Sequence, residues 1–457
     1  MKHILIVCSH FWPSTGGLES RMGQFSRELI VAGYKVDVLT QAYPGRDTNL
    51  YHGVEILSAE IGVFSNAIKE AVQNGKYRAC ILIQDPLGEI IWSIENIKPH
   101  PRTSIYIQPI INEDGYLRWK NHPNFGERLS NILKENAKCL VMTKNGPDTQ
   151  YMDNFAIDAI YVPNATMPIQ PAGNFREKYG ISEDVFLILH VANLYWVKNH
   201  LGLIKTLSNL PANWKLVMIG NPSGEKDCVD AVYSELKNRP DILFIPGLSS
   251  EWISSAMIAS NVVVLASKGE GSPITILEAM SHGKPWIATP ECGAANDHLG
   301  GIISKLKEFK YYLNLIYKNK KLRDNLGLLS YEHWKESYSW KAVMKIWISL
   351  IENKNELNPI AESMMKEITK GEFSLADLIE AGQKLMNDGR FDNAAEIYQF
   401  WIKNNNSDMN FVAYFNLATI FESLGQIENA KQAYEKSLKI NPTFEIAKVN
   451  LNRIQIA

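Results

Sequence analysis

Two glutamates separated by seven residues, Glu270 and Glu278, have the spacing in this sequence that most clearly suggests chemistry. Ser272 is a residue type favoured at a helix N-cap and Pro273 one favoured at the first helical position, so a helix is expected to begin between the glutamates. The free N–H groups and positive dipole end of that helix would hold a diphosphate without a metal ion. Glu270 would stand just before the helix and Glu278 about one turn inside it, so the carboxylates could face one bound molecule from different sides.

A lysine, Lys198, follows an earlier predicted strand in the same half of the chain. Each residue has an ordinary alternative. Glu278 can be a first-turn glutamate favoured by the dipole, Glu270 a solvated loop carboxylate and Lys198 a surface lysine. The coincidence of the glutamate spacing, the helix start and the lysine favours an anion-binding site.

Two adjacent glycines, Gly16 and Gly17, lie at a predicted strand-to-helix junction near the N-terminus. Glycines there let the backbone approach a ligand closely, with helix N–H groups facing it, although a tight turn would also need them. The pair does not form a Gly-x-Gly-x-x-Gly fingerprint, which disfavours a nicotinamide enzyme.

Strands and helices alternate through two successive halves of the chain, which predicts parallel, doubly wound sheets. We expect an α/β protein with two Rossmann-like domains facing across a cleft, the usual place for a nucleotide-bearing ligand. The predicted domains are residues 1–165 and 166–335, followed by a helix over 336–352 that crosses back. The predicted strands are 4–7, 36–40, 79–83, 103–107, 139–143 and 159–164 in the first half and 185–189, 214–220, 242–246, 261–266 and 286–289 in the second.

The composition of the chain limits its possible partners and its cellular location. The 457-residue chain is 46% hydrophobic and 21% charged with a formal net charge of -2, which gives no electrostatic case for nucleic acid. Its five scattered cysteines never form Cys-x-x-Cys, which argues against zinc and disulfides and for a reducing compartment. No segment approaches the roughly 18 apolar residues of a membrane helix. We expect a cytoplasmic protein whose membrane contact, if any, is peripheral to the inner face.

The C-terminal residues form a separate module in this interpretation, with a linker over 353–371 and an all-α helical repeat over 372–457. Gly389 and Gly425 begin matching segments 36 residues apart, close to a tetratricopeptide period of about 34 residues. Tyr398 and Tyr434 are predicted core positions, and Glu445 to Ala457 resembles a partial third unit. Two roles for this module remain open. It could pack on the enzyme body or on another copy, or it could provide a groove for an acceptor or partner protein.

Several of these motifs resemble a known family. Residues 1 to about 352 resemble the retaining family 4 glycosyltransferases of the GT-B fold, often called group 1 glycosyltransferases, and the tail resembles the tetratricopeptide repeat. The motifs that carry the first resemblance are Glu270–Gly271–Ser272–Pro273 with Leu277–Glu278–Ala279–Met280 and Gly283–Lys284–Pro285, then Gly16–Gly17, Val162–Pro163–Asn164–Ala165 and Tyr338–Ser339–Trp340.

The resemblance implies a sugar transfer from a nucleotide-sugar, UDP- or GDP-linked, to a glycan, lipid-linked or protein acceptor, with no cofactor, no metal and retained anomeric configuration. Lys198 would bind the donor diphosphate, Glu278 the ribose, and Glu270 would lie against the transferred sugar, with Glu270 and Lys198 acting in catalysis. The implied donor-binding residues are Gly16, Gly17, Asn193, Lys198, Gly271, Ser272, Pro273, Ile274 and Glu278. The acceptor candidates in the first domain are His10, Asn112, Glu113, Tyr116 and Trp119.

The chain departs from the family pattern in three places. Asn193 stands where the family usually has an arginine, no histidine occurs in Ile107 to Asp114, and the usual Gly-Gly-x-Pro-Glu segment is altered in Cys292 to Asp297. Two alternatives remain open, and Asn193 and the missing histidine support the first of them. One is a catalytically weakened adaptor that works through its repeats, and the other is a nucleotide-sugar epimerase on the same fold, which the glutamate spacing fits less well.

Overall fold

The computed structural model describes residues 2–14, 16–84, 89–109, 123–144, 146–222, 224–352, 368, 373–387, 391–405 and 407–456. The chain divides into two compact units, Met1–Trp347 and Ile348–Ala457. Within the described ranges, no helix is long and apolar enough to cross a membrane. The predicted linker at 353–371 lies outside the described residues except for Ile368.

The first unit contains two sheets. The first sheet has the strand order β3-β4-β2-β1-β5-β6-β7-β8 and is parallel except for the antiparallel pair β3 and β4. Its central strand is fully buried from Ile4 to Cys8, as a parallel strand covered on both faces must be. The strands are β1 (His3–Cys8), β2 (Lys35–Gln41), β3 (Leu50–Tyr51), β4 (Val54–Ala59), β5 (Ala79–Gln84), β6 (Ser104–Pro109), β7 (Lys138–Val141) and β8 (Ala159–Tyr161).

The second sheet is wholly parallel, in the order β11-β10-β9-β12-β13-β14. Apolar side chains pack on both of its faces, so all of β12 is buried. The strands are β9 (Phe186–Val191), β10 (Trp214–Ile219), β11 (Ile242–Ile245), β12 (Val262–Leu265), β13 (Trp286–Ala288) and β14 (Gly301–Ile303).

Helices cover both sheets. Those around the first sheet are α1 (Gly17–Val31), α2 (Ile61–Gln73), α3 (Glu89–Trp92), α4 (Pro123–Asn136) and α5 (Pro147–Asn154). The later ones are α6 (Phe175–Lys178), α7 (His200–Thr206), α8 (Lys226–Leu236), α9 (Ser250–Ala259), α10 (Ile274–Ser281), α11 (Phe309–Lys318), α12 (Lys320–His333) and α13 (Trp340–Glu352).

Helix α13 packs its first turns against helix α1 of the first sheet. The Trp340 indole N–H donates to the Gln24 side-chain oxygen at 2.8 Å, and Phe25 stacks on the Trp340 ring with centroids 5.7 Å apart. The helix itself begins at Trp340, after the boundary predicted at residue 336, because residues 334–338 form a π-helical turn and Ser339 is extended. That extended residue pairs with Thr166, which separates α13 from the preceding helix.

The second unit is helical: α14 (Leu375–Asn387), α15 (Phe391–Asn404), α16 (Asn410–Ser423), α17 (Ile427–Ile440) and α18 (Glu445–Ile456). Tyr398 and Tyr434 are buried, which confirms them as core residues. Gly425 has φ +70° at the turn between α16 and α17, the left-handed conformation that favours glycine. The matching Gly389 lies outside the described residues.

Candidate active site

The residues predicted to bind a donor converge at the carboxyl edge of the second sheet. Strands β9 and β12 are parallel neighbours, so the segments that follow them leave the sheet at the same edge. Lys198 ends a 3-10 turn after β9, and residues 267–273, here called the Glu270 loop, follow β12. The Lys268 amide donates to the Val197 carbonyl at 2.7 Å and holds the two segments together.

Lys198 and Glu270 form an ion pair between their side chains. The Ser267 hydroxyl donates to the same Glu270 oxygen at 2.8 Å. The exposed fractions of the Lys198 and Glu270 side chains are 24% and 13%, so water screens this pair less than a surface pair. The arrangement presents a fixed cation and carboxylate side by side.

The main chain of the Glu270 loop is held by the segment after β13. The Glu270 amide donates to the Glu291 carbonyl at 2.9 Å, and the Ala294 amide donates to the Gly271 carbonyl at 2.8 Å. Gly293 lies at φ +53°, and a Cβ there would stand 2.1 Å from the Gly271 oxygen. Only glycine fits this close approach, so Gly293 is a site residue that sequence reasoning missed. The available signal was a glycine in the altered segment 292–297.

Helix α10 begins directly after the Glu270 loop, one residue later than predicted. Pro273 is the N-cap and Ile274 the first helical residue, so the prediction of Ser272 as N-cap and Pro273 as first helical residue is wrong. The physical reason lies in a distant residue, because the Asn164 side-chain amide donates to the Ser272 carbonyl at 2.9 Å. The cap has no side-chain hydrogen bond, and the first N–H groups of a helix have no intrahelical partner, which leaves them for an anion.

The glycine loop of the first sheet lies beside this helix start. A Cβ placed on Gly17 would stand 3.9 Å from the Ile274 side chain. Gly16 is the N-cap of α1 and makes no side-chain cap. The structure therefore brings Gly17 beside Ile274, the first residue of α10.

Glu278 lies on α10 as a half-buried carboxylate. Within the part of the chain that the structure describes, its carboxylate has no hydrogen-bond or ion-pair partner. Burial raises the pKa of Glu278 to about 7. A partly dehydrated, unpaired acceptor of this kind suits a hydroxyl group of a bound ligand.

Asn193 lies in the same region, but a backbone contact engages its side chain. Its carboxamide oxygen accepts from the Asn221 amide at 3.0 Å. Gly220 permits this approach, since a Cβ there would stand 1.8 Å from the Ala192 carbonyl oxygen. In this conformation Asn193 positions the loop after β9, and its role in donor binding remains a prediction.

Of the predicted acceptor residues, His10 is the one that lies among the described residues. His10 is exposed just after β1. Asn112, Glu113, Tyr116 and Trp119 lie outside the described residues. A cavity of about 240 Å³ lies near Lys198, but Trp196, His200, Lys205 and Lys268 are among its lining residues, and Lys198 and Glu270 are not. Across the described ranges, no group of three or more His, Cys, Asp or Glu side chains could hold a metal ion.

Comparison with known proteins identifies two parts of the chain. Residues 172–331 match the model of glycosyl transferases group 1, and residues 411–444 match the tetratricopeptide repeat. The N-acetyl-alpha-D-glucosaminyl L-malate synthase of Bacillus anthracis is 20% identical over 310 residues, which are 61% of this chain and 77% of that protein. The lipopolysaccharide glucosyltransferase WaaG of Escherichia coli strain K12 is 23% identical over 330 residues, 64% of this chain and 82% of the relative.

Solved structures share the fold. Sucrose-phosphate synthase from Thermosynechococcus elongatus superimposes with a TM-score of 0.64 at 16% identity, over 77% of this chain and 99% of that one. Anabaena HepE in complex with UDP-glucose also superimposes with a TM-score of 0.64. Its identity is 14%, over 77% of this chain and 100% of the HepE chain. The chain is a glycosyltransferase of GT-B fold, with a group 1 glycosyltransferase domain at residues 172–331 and a tetratricopeptide repeat at residues 411–444.

Proposed function

We propose that the chain transfers a sugar from a nucleoside diphosphate sugar to a glycan, lipid-linked or protein acceptor, without a metal ion and with retention of anomeric configuration. The observation that carries the proposal is the Lys198–Glu270 pair at the uncapped start of α10, beside Gly17 of the first sheet. Sugar transfer releases a nucleoside diphosphate, so negative charge grows on the departing phosphate. Lys198 and the helix N–H groups supply fixed positive charge where that phosphate would lie.

Glu278 and Glu270 take different roles in this proposal. Glu278 accepts hydrogen bonds from the ribose hydroxyls, which its unpaired, half-buried carboxylate suits. Glu270 lies against the transferred sugar, held in place by Lys198 and Ser267. The main chain of Gly271 to Ile274, with Gly16 and Gly17 opposite, contacts the phosphates and the sugar.

The proposed nucleotide is UDP. The Anabaena HepE structure contains UDP-glucose, and the TarM structure of S. aureus contains UDP, which supports UDP over GDP. The TarM structure also contains alpha-GlcNAc-glycerol, whereas the two relatives are named for L-malate and lipopolysaccharide, so the acceptor is proposed only as a class. We also propose a reducing, cytoplasmic location, supported by five cysteines that are all buried and unpaired.

A specific observation favours one second candidate, an adaptor that binds a nucleotide-sugar without turnover. Asn193 supplies no positive charge, and its carboxamide oxygen is engaged by the Asn221 amide. Such a protein would use its repeats at 411–444 as the working surface.

Thermal-shift measurements in EDTA with UDP-, GDP-, ADP- and CMP-sugars test the donor proposal. We expect a UDP-sugar to raise the Tm of the wild type, and the shift to be lost in Lys198→Ala and Glu278→Ala. Exposed Lys321→Ala is the matched control and should keep the shift. A shift that persists in both site variants, or that occurs only with another nucleotide, would contradict the assigned donor site. Release of UDP with transfer or hydrolysis would exclude the adaptor.

A further inference from the structure

Arg21 is a buried cation in the first turns of α1 that pairs with no carboxylate in the described part of the chain. Only 5% of the residue is exposed. One terminal nitrogen, Nη2, donates to the Gln108 side-chain oxygen, and the other, Nη1, lies 3.8 Å from the Met142 sulfur. Its Nε atom is buried and has no partner.

These contacts leave much of the guanidinium unsatisfied. A guanidinium carries five N–H donors, and a thioether sulfur is a weak acceptor. Burial lowers the pKa of Arg21 to about 9, and no carboxylate among the described residues offsets that effect. A buried charge without a counter-charge destabilises the protein that holds it, so its presence at this position needs a reason beyond packing.

Gln108 is itself fixed in the orientation that receives Arg21. Its side-chain N–H donates to the Val162 carbonyl at 3.3 Å, which directs its oxygen toward the guanidinium. Gln108 is fully buried, so its amide cannot turn away to water. The guanidinium is held in place by a neutral group and keeps its full charge.

The carboxylate of Asp148, which binds the backbone at Met142, already has hydrogen-bond donors of its own. Asp148 accepts from the Met142 amide at 2.6 Å, from the Thr143 amide at 3.2 Å and from the Thr143 hydroxyl. The Thr149 amide donates at 2.9 Å to the same Asp148 oxygen, Oδ1, as the Thr143 hydroxyl. Asp148 therefore stabilises the turn after β7 and does not neutralise Arg21.

Arg21 lies at the edge of the first sheet that faces the donor loop. Gln108 is the second-to-last residue of β6, and Met142 directly follows β7, so both lie at the carboxyl edge of the sheet. Gly17, one helical turn before Arg21, lies beside Ile274 at the start of α10. Long side chains on a helix point back toward its N-terminus, which directs Arg21 toward this same edge.

We propose that Arg21 binds an anionic group of the acceptor, a carboxylate or a phosphate, on the first-sheet side of the cleft. This inference rests on the proposed transfer reaction and narrows its acceptor to an anionic class. The donors of Arg21 that Gln108 does not use would bind the anion, and Gln108 acts as a positioning residue. A guanidinium matches the planar carboxylate and the phosphate oxygens equally well, so the shared chemistry is an anionic oxygen pair.

The test separates this site from the donor site by saturating the full-length protein with UDP. L-malate probes a carboxylate, glycerol 3-phosphate probes a phosphate, and glycerol is the neutral control; each is titrated by thermal shift. We expect one anion to raise the Tm of the wild type, and Arg21→Met to bind that anion at least tenfold more weakly while its response to UDP is unchanged. Arg27→Met, on the same helix, is the control and should behave as the wild type.

Stability without ligand is the second readout. If Arg21 serves a ligand, Arg21→Met removes an unpaired buried charge, and its Tm should equal or exceed that of the wild type. A clear fall in Tm, which Arg21→Gln would repeat, would assign a structural role and overturn the proposal. Equal anion responses in wild type and Arg21→Met, or no response of the UDP-saturated wild type to either anion, would also overturn it. Failure to bind UDP would instead count against the proposed function.

Discussion

At the residue level, the three charged side chains beside the second sheet differ in what holds them. Lys198 and Glu270 form an ion pair, and the Ser267 hydroxyl donates to the carboxylate. Glu278 has no such partner among the described residues and is partly dehydrated. The pair is thus preorganised for a ligand, whereas Glu278 carries an unfavourable charge until a ligand donates to it.

Glu278 should make stability depend on pH. Its pKa is raised from 4.5 to about 7 in the folded protein, so the folded state holds this proton more tightly than the unfolded chain. The stabilising contribution is therefore present below pH 4.5 and lost as the pH rises through 7. We expect the wild type to lose about 2 kcal/mol relative to Glu278→Gln across that range, measured by urea unfolding at several pH values.

The control for this prediction is Glu336→Gln, which changes an exposed glutamate of the same unit. Its pH profile should parallel that of the wild type. If Glu278→Gln also parallels the wild type, Glu278 titrates at its ordinary value and is not dehydrated.

At the level of elements, the sequence was sufficient where local pattern decides the structure. Continuous apolar runs such as Ile4 to Cys8 are what buried parallel strands require, so most strands of both sheets were predicted to within a few residues. Strand β4, with its alternating burial, and the short β3 and β14 were not predicted. Two or three residues carry too little periodicity to identify a strand.

Contacts between residues far apart in the sequence explain the features of the site that local sequence pattern did not predict. The start of α10 depends on the Asn164 side chain, 108 residues before Ser272. Gly293 matters because the chain after β13 returns against the Gly271 carbonyl, an approach that no spacing in the sequence reveals. The site residues near the helix start were predictable, and the residues that hold them were not.

Gly293→Ala tests the support of the Glu270 loop. Alanine at φ +53° is strained, and its Cβ would collide with the Gly271 carbonyl, so we expect a loss of about 2–3 kcal/mol and weaker UDP binding. Gly33→Ala is the matched control, because Gly33 has φ +92° but open space around it. Urea unfolding of both variants compares them. Equal losses would show that the close approach to Gly271 contributes nothing beyond backbone strain.

At the level of the whole molecule, two Rossmann-like sheets share the first unit and supply different parts of the site we propose. The second sheet provides Lys198, the Glu270 loop and Glu278, and the first provides Gly17 and Arg21. The second unit has apolar cores of its own around Tyr398 and Tyr434. The predicted boundaries at residues 165, 335, 352 and 371 remain predictions.

The central claim is that this molecule transfers a sugar from a UDP-sugar without a metal ion. Its most direct test is NMR of the full-length protein with UDP-sugars in EDTA, which follows release of UDP and the anomeric proton of the sugar product. We predict that one UDP-sugar is consumed with its anomeric configuration retained, and that Glu270→Gln slows consumption by at least about 100-fold, the scale of losing a preorganised charged group. Binding of UDP-sugars without consumption, or consumption that requires a divalent cation or inverts the anomeric centre, would contradict the account.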